Sequence, residues 1–530
     1  MAPLDTHLLT ILTLLPLATA LLLLVIRGLP PRAAFCLALG GSLATFLLSV
    51  DLFLSFDSTQ IGFQFVERHE WLVDYGIHYF VGVDGVSLLL ILMTTFLMPL
   101  ALLSAWNAVS QRTTSFLFFL LFLETAMLGT FAALNLFQFY VFWELMLVPM
   151  FFLIGIWGAQ RRIYAAVKFF LYTVVGSLFM LVALIVVYYL HFQQFGVLNF
   201  DLVAAPGGPA HGLLDTVIPL ASEAPWWQTQ TWLFAAFALA FGIKVPIVPL
   251  HTWLPDAHVE APTAASVILA GVLLKMGTYG FVRLALPLFP VAATNLAPVF
   301  FGLGLIGILY GALVAMVQDD MKKLVAYSSV AHLGFVLLGM FTFNLEGLEG
   351  SVLQMVNHGL SSGALFLLVG MLYERRHTHL IAKFGGVAKP MPVFAALFVI
   401  VALSSIGLPL LNGFVGEFLI LLGTFLVSPM VAVAATFGVV LAAVYMLWML
   451  RRVLFGPLES SENRGLLDLD LREKVILVAV LVPIFWIGVH PQTLLRRLDT
   501  SAVELLRRVE AGSTRASALA LAERSREEKP

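Results

Sequence analysis

Seven ionisable residues interrupt long apolar runs. Lys244 lies in FALAFGIKVPIVPLHTWLPDAHVEAP, Glu144 in FYVFWELMLVPM, Lys275 in GVLLKMGTYG and Glu417 in GLPLLNGFVGEF. His332 occupies SSVAHLGF, His358 QMVNHGLSSG and Glu124 LFLETAMLGT. A charge near a bilayer centre costs roughly 2.5–3.5 kcal/mol on insertion scales, so such residues are functional candidates by default. Desolvation disfavours the charged form of any buried acid or amine and brings both toward proton exchange near neutrality. Such groups, spaced so that water bridges them, make a proton wire. A Glu–Lys pair adds a switch: paired, the lysine keeps its proton; separated, it releases it. Glu144 with Lys244 is the candidate pair, and Lys275, His332, His358 and Glu417 would carry the proton onward. Asn357, Ser361 and Ser362 add amide and hydroxyl groups beside His358, which together with Glu124 is an accessory candidate.

Plainer roles compete. A membrane Glu or Lys can be a buried ion pair that only fixes helix packing. His332 or His358 can simply hydrogen-bond a carbonyl. Several central charges together with two broken helices weigh against that reading for the set. Lys168, Arg283 and Asp51, near span ends, read as snorkelling side chains. Asp84 opens a helix, where a carboxylate suits the positive end, and reads as a cap. His251, Asp256, His258 and Glu260 gather at a helix end without a helical i, i+4 histidine pair, so a hydrogen-bonded turn is favoured over a metal site. Asp319, Asp320, Lys322 and Lys323 read as a charged turn, solvated or at a subunit contact.

The elements that must position these groups follow from composition. The chain has 530 residues, 60% hydrophobic and 11% charged, with mean hydropathy +0.97. Soluble domains carry about 25% charged residues. Apolar runs of about 20 residues make helices and exclude a barrel, so the fold class is an all-α polytopic membrane protein. The single cysteine, Cys36, excludes an intrachain disulfide, a cysteine-based zinc site and an iron–sulfur cluster, and no glycine-rich phosphate loop is visible. A net charge of −2 gives no sign of nucleic acid. The first apolar run lacks a basic leader and a cleavage site and reads as a retained helix.

Hydropathy marks about fourteen transmembrane helices, near 7–27, 31–55, 84–106, 113–134, 135–157, 164–190, 231–251, 262–287, 297–318, 323–343, 350–374, 391–425, 431–453 and 472–490. Basic loops at Arg27 and Arg32, Arg112, Arg161 and Arg162, Lys322 and Lys323, Arg375, Arg376, Lys383 and Lys389, and Arg451, Arg452 and Arg464 alternate with loops nearly free of Lys and Arg. The 191–230 loop is of the second kind and carries Asp201, Asp215 and Glu223. The basic set belongs in the cytoplasm, which puts both termini outside. Arg496, Arg497, Arg507 and Arg508 conflict with that; their amphipathic segment, LDTSAVELLRRVE, lies on the surface or on a partner, or a span is miscounted. The aromatic 56–83 loop, with Glu67, Arg68, Glu70 and Asp74, reads as an external cap, and the terminal ERSREEKP as disordered.

Spans four to eight and nine to thirteen read as two five-helix repeats, the second inverted. In each, the fourth helix is broken: by Gly242, Pro246 and Pro249 in GIKVPIVPLHTW, and by Gly407, Pro409 and Gly413 in GLPLLNGFVGEF. Proline withdraws an N–H donor and leaves a carbonyl that lipid cannot satisfy, so both breaks must face protein or trapped water. Paired breaks in matching positions point to a transport site. The chain thus divides into 1–112, N-terminal helices with the cap; 113–287 and 288–453, the two repeats; and 454–530, a last helix and tail.

The same stretches carry a resemblance. FYVFWELMLVPMFFLIGIWG, KFFLYTVVGSLFMLVAL, KVPIVPLHTWLPDAHVEAPTAASVILAGVLLKMGTYG, DDMKKLVAYSSVAHLGF and GLPLLNGFVGEF resemble the antiporter-like membrane subunits of complex I, the proton-pumping NADH:quinone oxidoreductase, over about residues 84–452. The chain looks most like the chain M type (mitochondrial subunit-4 type). It has no extension long enough for the lateral helix of chain L, and Glu417 stands where chains L and N have lysine. The resemblance implies that Glu144 modulates Lys244, that Lys275 is the connecting lysine, that His332 is a relay on the central axis with His358 also fitting it, and that Glu417 is the exit residue. It implies a non-redox subunit of a translocase, with no cofactor in this chain: NADH, FMN, iron–sulfur clusters and quinone would belong to partner subunits. Its neighbours would be chains of the L and N types in a bacterial inner (plasma) membrane. Competing readings are a cation/proton antiporter subunit of the Mrp kind, the equivalent subunit of a membrane-bound hydrogenase, and a scaffold whose charges only pack helices.

Overall fold

The computed structural model describes residues 7–26, 28–205, 208–218 and 228–527. Arg27 and Glu223, counted above among the loop charges, lie outside them, as do residues 528–530. The helices in order are α1 (Leu8–Val25), α2 (Pro31–Ser55), α3 (Gly85–Ala105), α4 (Thr113–Ala132), α5 (Leu136–Leu145), α6 (Leu147–Trp157), α7 (Arg162–Phe195), α8 (Thr229–Lys244), α9 (Trp253–Glu260), α10 (Thr263–Ile268), α11 (Leu274–Gly280), α12 (Leu286–Leu288), α13 (Pro290–Asn295), α14 (Ala297–Met316), α15 (Met321–Met340), α16 (Leu345–Arg376), α17 (Pro392–Ser405), α18 (Asn412–Val427), α19 (Pro429–Leu454), α20 (Ser461–Arg464), α21 (Leu471–Val489) and α22 (Gln492–Glu527). Two π-helical stretches, Leu269–Leu273 and Phe281–Ala285, join α10 to α12 into one continuous span.

Among the described residues, eleven helical stretches are long and apolar enough to cross a membrane, or twelve if α21 and α22, bent by 69°, count as one. Helices α17 and α18 are apolar but shorter. The protein is therefore an all-α polytopic membrane protein. The α10–α12 span and α16 are buried along their whole apolar windows, whereas α7 and α19 bury only a third to two fifths of theirs. The first two form the centre, the others the lipid-facing rim. This ordering matters because Lys275 and His358 ride on the central pair.

The 56–83 loop contains more than a cap of irregular chain. It forms an antiparallel hairpin, β1 (Gln64–Leu72) with β2 (Ile77–Val83), closed by Gly76 at φ +66°. Helix α1 has no side-chain cap of its own. Glu67 of the hairpin supplies one, accepting from the backbone of Leu9 at 2.7 Å and Thr10 at 3.2 Å, where a carboxylate meets orphan N–H groups. Arg68 and His78 reach Asp201 at 3.1 Å each, and Asn135, the cap of α5, reaches it at 2.8 Å. An acid expected only as a loop charge is a buried hub.

Five further expectations are corrected. The tail helix lies across the ends of its own α2 and α3: Ser501 Oγ accepts from Gly85 N at 2.8 Å, and Arg497 donates to Phe53 O at 3.2 Å. Residues 523–527 of the segment read as disordered continue that helix. Arg283 does not snorkel; it is buried and paired to Asp84, with Tyr279 Oη 3.0 Å from its Nε. Asp84 still caps α3, through a reciprocal box with Ser87. Lys168 binds Asp256 at 2.7 Å and the Thr252 carbonyl at 2.9 Å. Lys322 is not solvated: it is buried with its ammonium on the Ala261 carbonyl, pinning α15 to the end of α9.

Burial opposes ionisation of Asp84, but the Arg283 guanidinium and the Ser87 donors outweigh it and hold the carboxyl below its usual range. Removing one partner of a buried pair costs about 3–5 kcal/mol, because the other charge is stranded. Arg283→Ala should lower the thermal stability of the assembled protein markedly, and the double variant Arg283→Met with Asp84→Asn should recover most of it in the same thermal-shift measurement.

Candidate functional site

At the first break two backbone carbonyls are re-partnered inside the protein. Pro246 has no N–H for the Gly242 carbonyl. Ile247 N takes that carbonyl instead, at 2.8 Å, which frees the carbonyl of Ile243. The indole Nε1 of Trp253 then satisfies Ile243 at 2.8 Å. Helix α8 thus ends on Lys244, with the carbonyls of Gly242 and Ile243 taken up inside the protein. The Lys244 side chain is 1% exposed.

Lys244 does not meet Glu144. Its Nζ sits 3.3 Å from the centroid of the Trp143 ring and 3.4 Å from the Trp143 carbonyl, and no ion pair joins it to Glu144 among the described residues. The reason is helical: neighbouring residues point about 100° apart, so Trp143 facing the lysine turns Glu144 aside, toward Ser177 on α7. Glu144 Oε1 has no hydrogen-bond partner. The fifth span is itself interrupted at Met146, between α5 and α6. Pro149 cannot donate to the Leu145 carbonyl, so the helix yields directly after Glu144. The proline in WELMLVP was the available sign of this third irregularity.

The second half of the set is contiguous. Lys275 Nζ lies 2.7 Å from His358 Nδ1 and also reaches the Ala270 carbonyl in the π-helical stretch. The rings of His358 and His332 are 5.6 Å apart. His332 Nδ1 lies 2.8 Å from Glu417 Oε1. Gln354 donates to the same oxygen at 3.0 Å. All four ionisable residues are at most 4% exposed, and they come from the α10–α12 span, α16, α15 and α18. Gln354 was missed, although it precedes His358 by four residues and shares its face.

The second break holds this end. Asn357 Nδ2 donates to Asn412 O at 2.7 Å, and Asn412 Nδ2 returns to Asn357 O at 3.2 Å. Ser361 and Ser404 hydroxyls meet at 2.7 Å, and Ser404 donates to Asn412 Oδ1. Gly407, at φ +74°, lies where a Cβ would come within 3.0 Å of Glu417 Oε2; at Gly413 a Cβ would sit 2.1 Å from the Ser404 carbonyl oxygen. Pro409 lies in the non-helical connection between α17 and α18.

The other polar clusters separate from this line. Glu260 accepts from Arg161 N at 2.7 Å and Asp256 binds Lys168; with His258, which stacks on Phe366 with neither ring nitrogen hydrogen-bonded, they lie in helix α9, where the sequence pointed to a hydrogen-bonded turn. His7, Glu67 and His69 approach within 4.8 Å, but the Glu67 carboxylate is already committed to capping α1. Glu124 touches none of the line's members.

Comparison with known proteins decides the family. The model for the NADH:quinone oxidoreductase/Mrp antiporter transmembrane region matches residues 133–442, and that for the NADH-ubiquinone oxidoreductase chain 4 amino terminus matches 32–130. NADH-quinone oxidoreductase subunit M of Rhodobacter capsulatus is 45% identical over 95% of this chain and 97% of its own length. The chain belongs to the subunit M (chain 4) family. NADH-ubiquinone oxidoreductase chain 4 of Marchantia polymorpha is 42% identical over 93% of this chain and 96% of its own. A chain of respiratory complex I from Thermus thermophilus superposes with a TM-score of 0.83 at 34% identity, over 94% of this chain and 99% of that one. A chain of the Mrp complex from Dietzia sp. DQ12-45-1b shares the fold, with a TM-score of 0.80 at 20% identity over 96% and 99%. This subunit M family member is a multi-pass, non-redox membrane subunit of a proton-translocating NADH:quinone oxidoreductase, built to work in a complex with other membrane subunits.

The glycine contacts give a direct check. Gly413→Ala should cost at least the ~1–3 kcal/mol of an overpacked core and reduce the amount of assembled complex, because its Cβ meets backbone. Gly302→Ala, where a Cβ meets nothing within 4 Å, should assemble like the wild type on native gels.

Proposed function

We propose that protons cross this subunit along Glu144, Lys244, Lys275, His358, His332 and Glu417, driven by quinone reduction in remote partner subunits. The observation that carries the reading is the buried line from Lys275 to Glu417, in direct contact at both ends with one gap between the two imidazole rings. Lys275 Nζ and His358 Nδ1, and His332 Nδ1 and Glu417 Oε1, are each close enough for direct transfer. The Nε2 atoms of both histidines lack protein partners, so a water between the rings completes the wire. An imidazole accepts at one nitrogen and releases at the other, which suits both histidines to this use. Gln354 holds the Glu417 carboxyl in reach, and Gly407, without a side chain, leaves room for it.

At the other end the Lys244 ammonium rests on the Trp143 ring, a site that favours a cation. The open Glu144–Lys244 arrangement fits one of the two states of a switch; closing it requires Glu144 to turn from Ser177 toward the lysine. We infer fourteen membrane crossings, of which α8–α9 and α17–α18 are interrupted, arranged as an N-terminal unit (1–112), two inverted five-helix repeats (113–287 and 288–453) and a C-terminal unit (454–530). NADH, FMN, iron–sulfur clusters and quinone belong to other subunits, and chains of the L and N types are the proposed neighbours. Coupling to quinone chemistry rests on family analogy. Glu124 is given no step in the line. The likeness to an Mrp complex chain keeps one alternative, sodium in place of protons at the carboxylates; sodium-dependent exchange by vesicles lacking every redox subunit would favour it.

Lys244→Ala should abolish proton pumping linked to NADH oxidation while the complex still assembles. Tightly coupled pumping at the wild-type rate in that variant would reject the assignment. Lys275→Ala should interrupt the line next to His358 and give the same loss in the same vesicle assay.

A further inference from the structure

Glu124 lies at the middle of α4, is fully buried, and has no hydrogen-bond partner on either carboxyl oxygen. Helices α1, α2 and α4 pack against one another around it. Ser42 of α2 faces the carboxyl, and its hydroxyl is equally buried and equally without a partner. Thr125 beside Glu124 and Thr13 on α1 are further buried hydroxyls in the same helix trio with unpartnered oxygens. Elsewhere in the interior, hydroxyls bond back to their own helix, as Thr94 and Thr130 do to Leu90 and Ala126.

The site stands apart from the transport line. Gly129, five residues along α4, packs on Phe142 of α5. Five residues are about 140° of turn on a helix, so the Glu124 side chain leaves α4 on a different face from the one that meets α5. Helices α1, α3 and α6 carry no charged residue. On the other elements packed against α4, the charged or titratable groups are Arg32, Cys36 and Asp51 of α2, Tyr140 and Glu144 of α5, Lys275 and Tyr279 of α11, and His78 and Tyr79 of β2. None of these forms an ion pair with Glu124 among the described residues. An ionised carboxylate in such a place would stand without a counter-charge, with the Ser42 hydroxyl its one facing donor, which low-dielectric surroundings penalise far more than a neutral acid.

We propose that Glu124 and Ser42 form a proton-binding site between α1, α2 and α4, separate from the transport line, in which the carboxylic acid keeps its proton and shares it with the serine hydroxyl. A sodium ion is the competing occupant of a carboxylate with hydroxyls around it; the absence of a second carboxylate paired with Glu124 among the described residues and the full burial of Glu124 and Ser42 favour the proton.

The test is infrared spectroscopy on the whole purified complex, in ordinary and heavy water. The wild type should show a protonated-carboxyl band that Glu124→Gln removes. Ser42→Ala should keep that band, shift it to higher frequency because a hydrogen bond is lost, and leave pumping at the wild-type rate. Exchanging sodium for potassium should leave the band in place. Loss of an ionised-carboxylate band in Glu124→Gln would overturn the proposal, and so would a band that moves with sodium. Should Glu124→Gln not assemble, the Ser42→Ala shift decides alone: an unshifted spectrum overturns the site. None of these readouts depends on Lys244.

Discussion

A carbonyl or an ammonium group stranded in hydrocarbon must find its partner inside the protein, and that requirement shapes the whole interior. At the first break one missing proline N–H displaces two hydrogen bonds, and a tryptophan indole from the following helix closes the account. The fold depends on such closures because nothing in a bilayer can replace them. They also explain why the interruptions do not simply unravel: each is clamped by a side chain from beyond the break, Trp253 in one case and the Asn357–Asn412 exchange in the other.

The same demand distributes the charges into two kinds. Structural ones are fully paired. Arg283 with Asp84, Arg375 with Glu473 and Lys168 with Asp256 each have opposite charge within 2.7 Å. These tie helix to helix: the α10–α12 span to the cap of α3, the end of α16 to the first turn of α21, and α7 to α9. The charges of the central line are different. Lys244 has a ring and a distant carbonyl, Glu144 has a free oxygen, and both histidines keep one bare nitrogen. Incomplete satisfaction is costly in a packed interior, and it is what a group needs if it is to change partners during turnover.

Rigidity and mobility are likewise divided. The central α16 and the α10–α12 span are enclosed by protein along their length, so their polar residues hold position. Irregular backbone sits beside nearly every member of the line: the α5–α6 interruption after Glu144, the break after Lys244, the π-helical stretch before Lys275 and the turn before Glu417. Local departures from helical geometry would supply the small rotations that the proposed Glu–Lys switch requires, while the enclosing helices would keep the rest of the proposed wire in register.

Composition, proline and glycine placement, and charges within apolar runs determined the membrane class, the two broken helices and the members of the line, because lipid penalises each of these features wherever the chain folds. The sequence could not give partners. Glu144 and Lys244 suit each other chemically, yet side-chain direction on α5 puts Trp143 against the lysine. Arg283 reads as snorkelling only while Asp84, 199 residues away, is out of view. The 56–83 hairpin lacked a tell-tale turn dipeptide, and Glu67 became a cap only when α1 came to lie beneath it. Long-range packing decides which faces meet, and a linear pattern fixes only which residues need a partner.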